Sequence, residues 1–331
     1  MKSNSIKISF FFRKAASSFH SIEELFANIQ SALPDNIEFE NVHLPHHNGI
    51  IGRLRNIFFA KKHSSQINHI TGDINYISFG LPKKNTVLTV HDIGSALNGN
   101  KLKRFIINMF WFKLPFKKVS RILTISDFTK KELVEKYIIP DNKLSVIPNC
   151  VSSKFVPVHK EFSGFKPNIL VVGTKKNKNL ETIIEALKGV KCKLLIIGVL
   201  PELIKKNLQN FDFENYFNLS FDEVVAVYQK ADMLLFPSLY EGFGMPIIEA
   251  QAVGVPVITS NLEPMKSVAG DGAVFVNPKD SNQIRNAVSL LAKNKEFRQL
   301  IVEKAKLNVK KYECSNVAKQ LLNIYKQIIN D

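Results

Sequence analysis

Short β-rich runs alternate with helical patterns from one end of this chain to the other, and the alternation restarts midway. The first run, residues 6–12, is followed by a helix that the capping-box pattern Ser21-Ile22-Glu23-Glu24 opens. Further strand-like runs fall at residues 39–44, 67–70, 86–90, 121–125 and 144–147. After Pro148-Asn149 the pattern begins again, with strands expected at 169–172, 193–197, 233–236, 255–259 and 273–276. Strands separated by helix-length segments pair in parallel through right-handed crossovers, because parallel neighbours need a long connection that packs on the sheet face. The expectation is therefore an α/β chain of two doubly wound, Rossmann-like domains, at residues 1–155 and 168–312, with 156–167 as the connection. A last helix, 315–331, has no further strand to serve and is expected to pack back onto the first domain. Facing domains of this kind leave a cleft at the carboxyl ends of their strands, so function is sought on those loops.

A length of 331 residues suits two cores rather than one. The formal charge of +16, carried mostly by lysine, favours an anionic partner: nucleic acid, an anionic membrane surface or a phosphorylated substrate. A compositional drift toward Lys, Ile and Asn accounts for it equally well. Cys150, Cys192 and Cys314 are far apart in sequence and odd in number, which argues against a disulfide framework or a zinc site. The run 6–12 meets Arg13 and Lys14 with no small-residue cleavage site, so it reads as a first strand and places the protein in the cytosol. The longest apolar stretch, 105–116, is too short to span a bilayer. Lys101, Lys103 and Arg104 before it and Lys117, Lys118 and Arg121 after it leave two readings open: a packed helix with solvated ends, or a helix lying on an anionic membrane surface.

Two loops of the second domain carry the chemistry. In the first, strand 169–172 runs into Gly173-Thr174-Lys175-Lys176-Asn177-Lys178-Asn179 and then a helix at 180–187. Lysines at a helix N-terminus oppose the dipole unless an anion such as a diphosphate sits between them and the backbone amides. The other reading is a set of solvated lysines, and the P-loop spacing is absent. The second loop is Pro237-Ser238-Leu239-Tyr240-Glu241-Gly242-Phe243-Gly244-Met245-Pro246-Ile247-Ile248-Glu249-Ala250. Pro246 suits a first helical position, which would put Glu249 in the first turn and leave Gly242 and Gly244 in the loop. Two carboxylates around a glycine loop can accept hydrogen bonds from sugar hydroxyls while free amides hold an anion. Equally, Glu249 can serve the helix dipole and Glu241 a loop cap.

At these residues the chain resembles glycosyltransferase family 4, retaining enzymes of the GT-B fold with an E-x7-E motif in an E-G-F-G-x-P-x-x-E-A context, here Glu241 and Glu249. The resemblance runs from 168 to about 278 and takes in Ala231-Asp232, Gly254-Val255-Pro256-Val257-Ile258 and the loop of Gly173 and Lys178. It is thinner in the first half, at Val90-His91-Asp92, Ile125-Ser126-Asp127-Phe128-Thr129 and Ile147-Pro148-Asn149. It implies a UDP- or GDP-sugar donor on the second domain, with Glu249 on the ribose, Glu241 on the sugar ring and Lys178 on the diphosphate. Thr174 and Lys175 stand where the family commonly has an arginine, so Lys175 is the implied substitute beside Gly173. Amides of Gly242, Phe243, Gly244 and Met245 would hold sugar or phosphates, and His91 would meet the sugar from the first domain.

Two departures stand out: Phe11-Phe12-Arg13-Lys14-Ala15-Ala16 replaces the family's glycine-rich loop after the first strand, and Cys150 replaces the glycine usual after Pro148-Asn149. No D-x-D occurs, and Asp212-Phe213-Glu214, its nearest imitation, reads as a charged surface turn. No metal and no cofactor are therefore expected beyond the co-substrate. The implied reaction moves a hexose-type sugar to a saccharide or lipid-linked saccharide in cell-surface polysaccharide synthesis, in the cytoplasm and peripherally on the inner membrane face. The rival from another class is a non-catalytic sugar-nucleotide-binding relative or accessory subunit of an active transferase. No helix-turn-helix, zinc or RNP signature supports nucleic-acid binding, and no G-x-G-x-x-G follows a strand, which disfavours a dehydrogenase.

Overall fold

The structure, a computed structural model, describes residues 5–14, 21–46, 49–94, 100–158 and 161–330. Ala15 and Ala16 of the departing loop and the side chain of Ser21 at the expected cap lie outside the described part. The chain forms two compact units, residues 1–150 with 314–331, and residues 151–313. Residues 151–158 thus belong to the second unit, where Phe155 packs edge-on against Phe221 and Tyr228 and Lys154 pairs with Asp222.

In the first unit β1 (Ile6–Phe12), β2 (Ile37–His43), β3 (Ile67–Ile70), β4 (Thr86–Val90), β5 (Arg121–Thr124) and β6 (Leu144–Val146) form a parallel sheet in the order β2-β1-β3-β4-β5-β6. The central strands are buried on both faces, and each face carries its own apolar core. The helix Cys314–Asn330 closes one of them. Val317, Ala318, Leu321, Tyr325 and Ile328 recur at helical spacing and are buried against Phe10, Phe26 and Ile67. Its Tyr325 hydroxyl shares a hydrogen bond with His69 Nδ1 at 2.5 Å, while Thr89 Oγ1 meets Nε2 at 2.7 Å. Burial pushes the His69 imidazole down to about 3, so it stays neutral and both nitrogens are satisfied.

The second unit comprises β7 (Asn168–Val172), β8 (Lys193–Ile197), β9 (Asp212–Tyr216), β10 (Met233–Phe236), β11 (Val257–Ser260) and β12 (Ala273–Val276), all parallel, in the order β12-β11-β10-β7-β8-β9. β9 corrects the expectation of a surface turn at Asp212-Phe213-Glu214. Phe213 and Tyr216 sit among polar residues with too little apolar signal for a buried strand, but at the sheet edge Phe213 reaches the core while Glu214 pairs with Lys193 and Lys230, each at 2.5 Å.

The two strand orders place a topological switch point between β1 and β3 in one sheet and between β7 and β10 in the other. Among the described residues no helix is long and apolar enough to cross a membrane. The stretch 105–116 is helical but interrupted: a helix Lys101–Ile107 passes into a π-helical turn Asn108–Lys113 and then a helix Leu114–Lys117. Phe112, Pro115 and Phe116 are buried, whereas Leu102, Phe105, Ile106 and Phe110 face solvent.

Candidate active site

The loops after β7 and β10 flank the switch point of the second sheet, where strands on either side wind away and leave a crevice at the carboxyl ends. After β7, Gly173 turns the chain at φ +89°; a Cβ there would lie 2.8–3.2 Å from three carbons of the Lys178 side chain. Glycine thus lets Lys178 fold back over its own loop. A single 3-10 turn, Lys176–Lys178, and a left-handed Asn179 (φ 64°) separate it from the helix Leu180–Leu187. The Asn179 amide ties this corner down by donating to the carbonyls of Pro237 at 3.1 Å and Pro278 at 2.6 Å.

The two loops are joined directly. Lys178 Nζ donates to Glu241 Oε1 at 2.6 Å and lies 4.6 Å over the centre of the Phe236 ring. Asn177 Nδ2 donates to the Tyr240 carbonyl at 2.9 Å and to the same Glu241 oxygen at 3.3 Å, while Leu239 N donates to the Asn177 carbonyl at 2.8 Å. The lysine and glutamate side chains keep only 17% and 14% of their surface, so the pair is shielded yet reachable. Here the anion expected among the lysines is supplied by the protein itself. Lys175 and Lys176 are exposed, and Thr174 donates its hydroxyl to the Val199 carbonyl at 2.6 Å, bracing the loop after β8.

The helix after β10 starts one residue earlier than expected. Gly244, at φ 102° and ψ 49°, is the N-cap, Met245 opens the helix and Pro246 is second. Proline fits there because an N–H at that position would have no partner inside the helix, and Gly244 accepts from Ile247 N at 3.0 Å. Glu249 therefore sits beyond the first turn, too far along to serve the dipole, which leaves its carboxylate for other work. One oxygen accepts a short hydrogen bond from the Tyr228 hydroxyl. Burial pushes the carboxyl up to about 7, against the pull of that hydrogen bond and of the Lys178 charge. Tyr228 is only 1% exposed, and burial beside Glu249 raises its hydroxyl well above the ordinary range, so it acts as a donor.

Gly173, Thr174, Lys178, Glu241, Gly242, Phe243, Gly244, Met245 and Glu249 all lie on these elements of the second unit. His91 belongs to the first unit, just past β4, where its Nε2 meets the Thr71 carbonyl at 2.7 Å. Sequence reasoning missed Asn177, Asn179, Phe236 and Tyr228. The two asparagines stood inside a loop read for its lysines, whereas nothing in sequence ties Tyr228 to Glu249.

Comparison with known proteins matches the family Glycosyl transferases group 1 to residues 158–308 and Glycosyltransferase Family 4 to residues 33–155. The chain is 28% identical over 250 residues to the O-antigen chain mannosyltransferase RfbU of Salmonella typhimurium, covering 72% of this chain and 69% of that protein. It is 24% identical to O-antigen chain mannosyltransferase B of Escherichia coli, covering 62% and 60% respectively. Among solved structures, Anabaena Alr3699/HepE in complex with UDP and glucose superposes with a TM-score of 0.79 at 13% identity over 97% of this chain and 100% of that one, which shows the shared fold.

Proposed function

We propose a function from the premise that this chain belongs to the family 4 glycosyltransferases, with the group 1 domain in its second unit and the GT-B fold. It transfers a hexose-type sugar from a UDP- or GDP-sugar to a saccharide or lipid-linked saccharide acceptor, with retention at the anomeric carbon. Relatives named for O-antigen mannose transfer support a mannosyl donor and a place in cell-surface polysaccharide synthesis. The observation that carries the reading is the Lys178–Glu241 pair at the switch point, with Glu249 held on the same loop and helix.

In this scheme Glu249 takes the ribose hydroxyls and Glu241 the sugar ring, through the oxygen that Lys178 leaves unengaged. The bond from the anomeric carbon to the β-phosphate oxygen breaks and a bond to the acceptor oxygen forms on the same face. The departing phosphate takes the acceptor's proton. Lys178, Lys175 and the amides from Gly242 to Met245 meet the charge gained by the diphosphate, an electrostatic contribution fixed before reaction and made without a metal. Melting the protein with a panel of UDP-, GDP- and ADP-sugars tests this. A cognate donor at a hundredfold its Kd stabilises by about 2.7 kcal/mol, a rise of several degrees. No shift with any member of the panel sinks the proposal.

A membrane-facing acceptor is supported by a second feature of the first unit. Lys83, Lys113, Lys117, Lys136 and Lys143 line a cavity of about 810 Å³ with no carboxylate among the described lining residues, beside the exposed Phe105. Burial, with Lys83 and Arg121 close by, pushes the Lys143 amine down to about 8. Anionic lipid head groups would relieve that crowding while the exposed apolar residues enter the acyl boundary. We expect co-sedimentation with anionic vesicles at low salt, lost at high salt and on neutral vesicles. Equal recovery in the supernatant with and without anionic vesicles would remove the membrane from the scheme.

A further inference from the structure

We propose that Cys150 and Cys314 form a peroxide-reactive thiol pair, in which Cys314 is oxidised first and Cys150 resolves it as an intrachain disulfide. The pair takes no part in the donor site, and its chemistry stands independently of the transferase reading.

Their distance in sequence hid the pair, and the fold brings it together. Both cysteines belong to the first unit, at the points where the chain leaves it and returns. Cys150 follows β6 and is buried in the core beneath the helix Cys314–Asn330, and Cys314, the first residue of that helix, packs against the same core. Just beyond them Val151 N donates to the Tyr312 carbonyl at 2.9 Å and Val151 bridges Glu313, so the two passages of the chain run side by side. On this frame the two Sγ atoms stand 2.7 Å apart. Cys192, in contrast, is buried in the core of the second unit, where burial pushes its thiol up to about 11.

The two sulfurs are not equivalent. Cys150 is 1% exposed, whereas Cys314 keeps part of its surface and lies between the exposed Glu313 and Ser315. The hydrogen bond with Cys150 lowers the Cys314 thiol against the opposing effect of burial, and its own backbone N–H adds to the pull. The same contact, with burial, raises Cys150. A helix N-terminus also favours a thiolate. An incoming peroxide therefore meets the thiolate on Cys314, while Cys150 keeps its proton.

The Cys314 sulfur attacks one oxygen of hydrogen peroxide, the O–O bond breaks and the released hydroxide leaves as water after taking a proton, which oxidises the sulfur to a sulfenic acid. The Cys150 sulfur then attacks that sulfur. The S–O bond breaks, the hydroxyl departs with the Cys150 proton as a second water, and the S–S bond forms. Two thiols and one peroxide thus give one disulfide and two waters. The bond would fasten the start of the last helix to the core on which it packs.

The whole protein, reduced and then treated with hydrogen peroxide, should yield on digestion without reductant a peptide joining Cys150 to Cys314, two hydrogens lighter than its parts and separated again by dithiothreitol. Before oxidation, iodoacetamide should label Cys314 about tenfold or more faster than Cys192. In Cys150→Ser, the oxidation should stop at a Cys314 sulfenic acid that dimedone traps; in Cys314→Ser, Cys150 should stay reduced. Failure of the native protein to form the joined peptide overturns the proposal without recourse to any variant. Labelling of Cys314 no faster than that of Cys192, or joined peptides that include Cys192 as readily, would do the same, because the oxidation would then owe nothing to this pairing.

Discussion

Glu241→Ala lowers kcat/KM for glycosyl transfer about 100- to 1,000-fold, while the melting temperature falls by only a few degrees. The split follows from what the carboxylate touches. One oxygen holds Lys178 at 2.6 Å and Asn177 at 3.3 Å, and the other is the one proposed to meet the sugar. Without it the ammonium has the Phe236 ring beneath it but no fixed anion, and it wanders from the position proposed to meet the diphosphate. Lys178→Ala removes the same arrangement from the other side and should cost a similar factor. The double variant should be little worse than either single one, because residues acting as a unit are not additive. Losses that multiply in the double variant would show two independent roles and break the pairing argument. Glu241→Gln retains an acceptor but not the charge, and a loss close to that of alanine would assign the effect to electrostatics rather than to shape.

The residues that the sequence made legible are those whose chemistry is local. A strand, a glycine turn and a helix start define the loop after β7, and the same grammar defines the loop from Glu241 to Glu249, so both loops could be read before any fold was known. What joins them could not. Lys178 and Glu241 are 63 residues apart and meet only because β10 inserts beside β7, an ordering that no sequence period encodes. Tyr228 was hidden for a related reason: its helix Phe221–Lys230 precedes β10, its ring looks like any buried aromatic, and only packing brings its hydroxyl to Glu249. The same gap explains β9 and the stretch 105–116. Edge strands and π-helical turns answer to their neighbours more than to their own pattern. The other parallel strands, most of them short, largely apolar runs buried in the sheet, were legible.

The ionisation of Glu249 leads to a second large effect, a pH-dependent grip on the donor. Burial pushes its carboxyl up to about 7, so near neutrality the free protein holds both the neutral acid and the carboxylate at the proposed ribose site. A carboxylate accepts from both ribose hydroxyls, and the neutral acid does so less well. Nucleotide-sugar affinity should therefore rise about tenfold between pH 6 and 8 and level off above. The diphosphate of a nucleotide sugar has no free terminal phosphate to titrate in this range, so the ligand stays constant. For the free protein the sign is opposite. A carboxyl raised from 4.5 to about 7 on folding contributes stability that is fully present below 4.5 and is lost as pH rises through 7. Lys178 and the Tyr228 hydroxyl both favour the charged form, and removing either moves the titration upward. Tyr228→Phe should shift the midpoint of the affinity profile to higher pH and leave the plateau closer to native than Glu249→Gln does, which should flatten the profile altogether. An unchanged midpoint in Tyr228→Phe, or a profile that survives Glu249→Gln, would assign the pH dependence to another group and take Glu249 off the ribose.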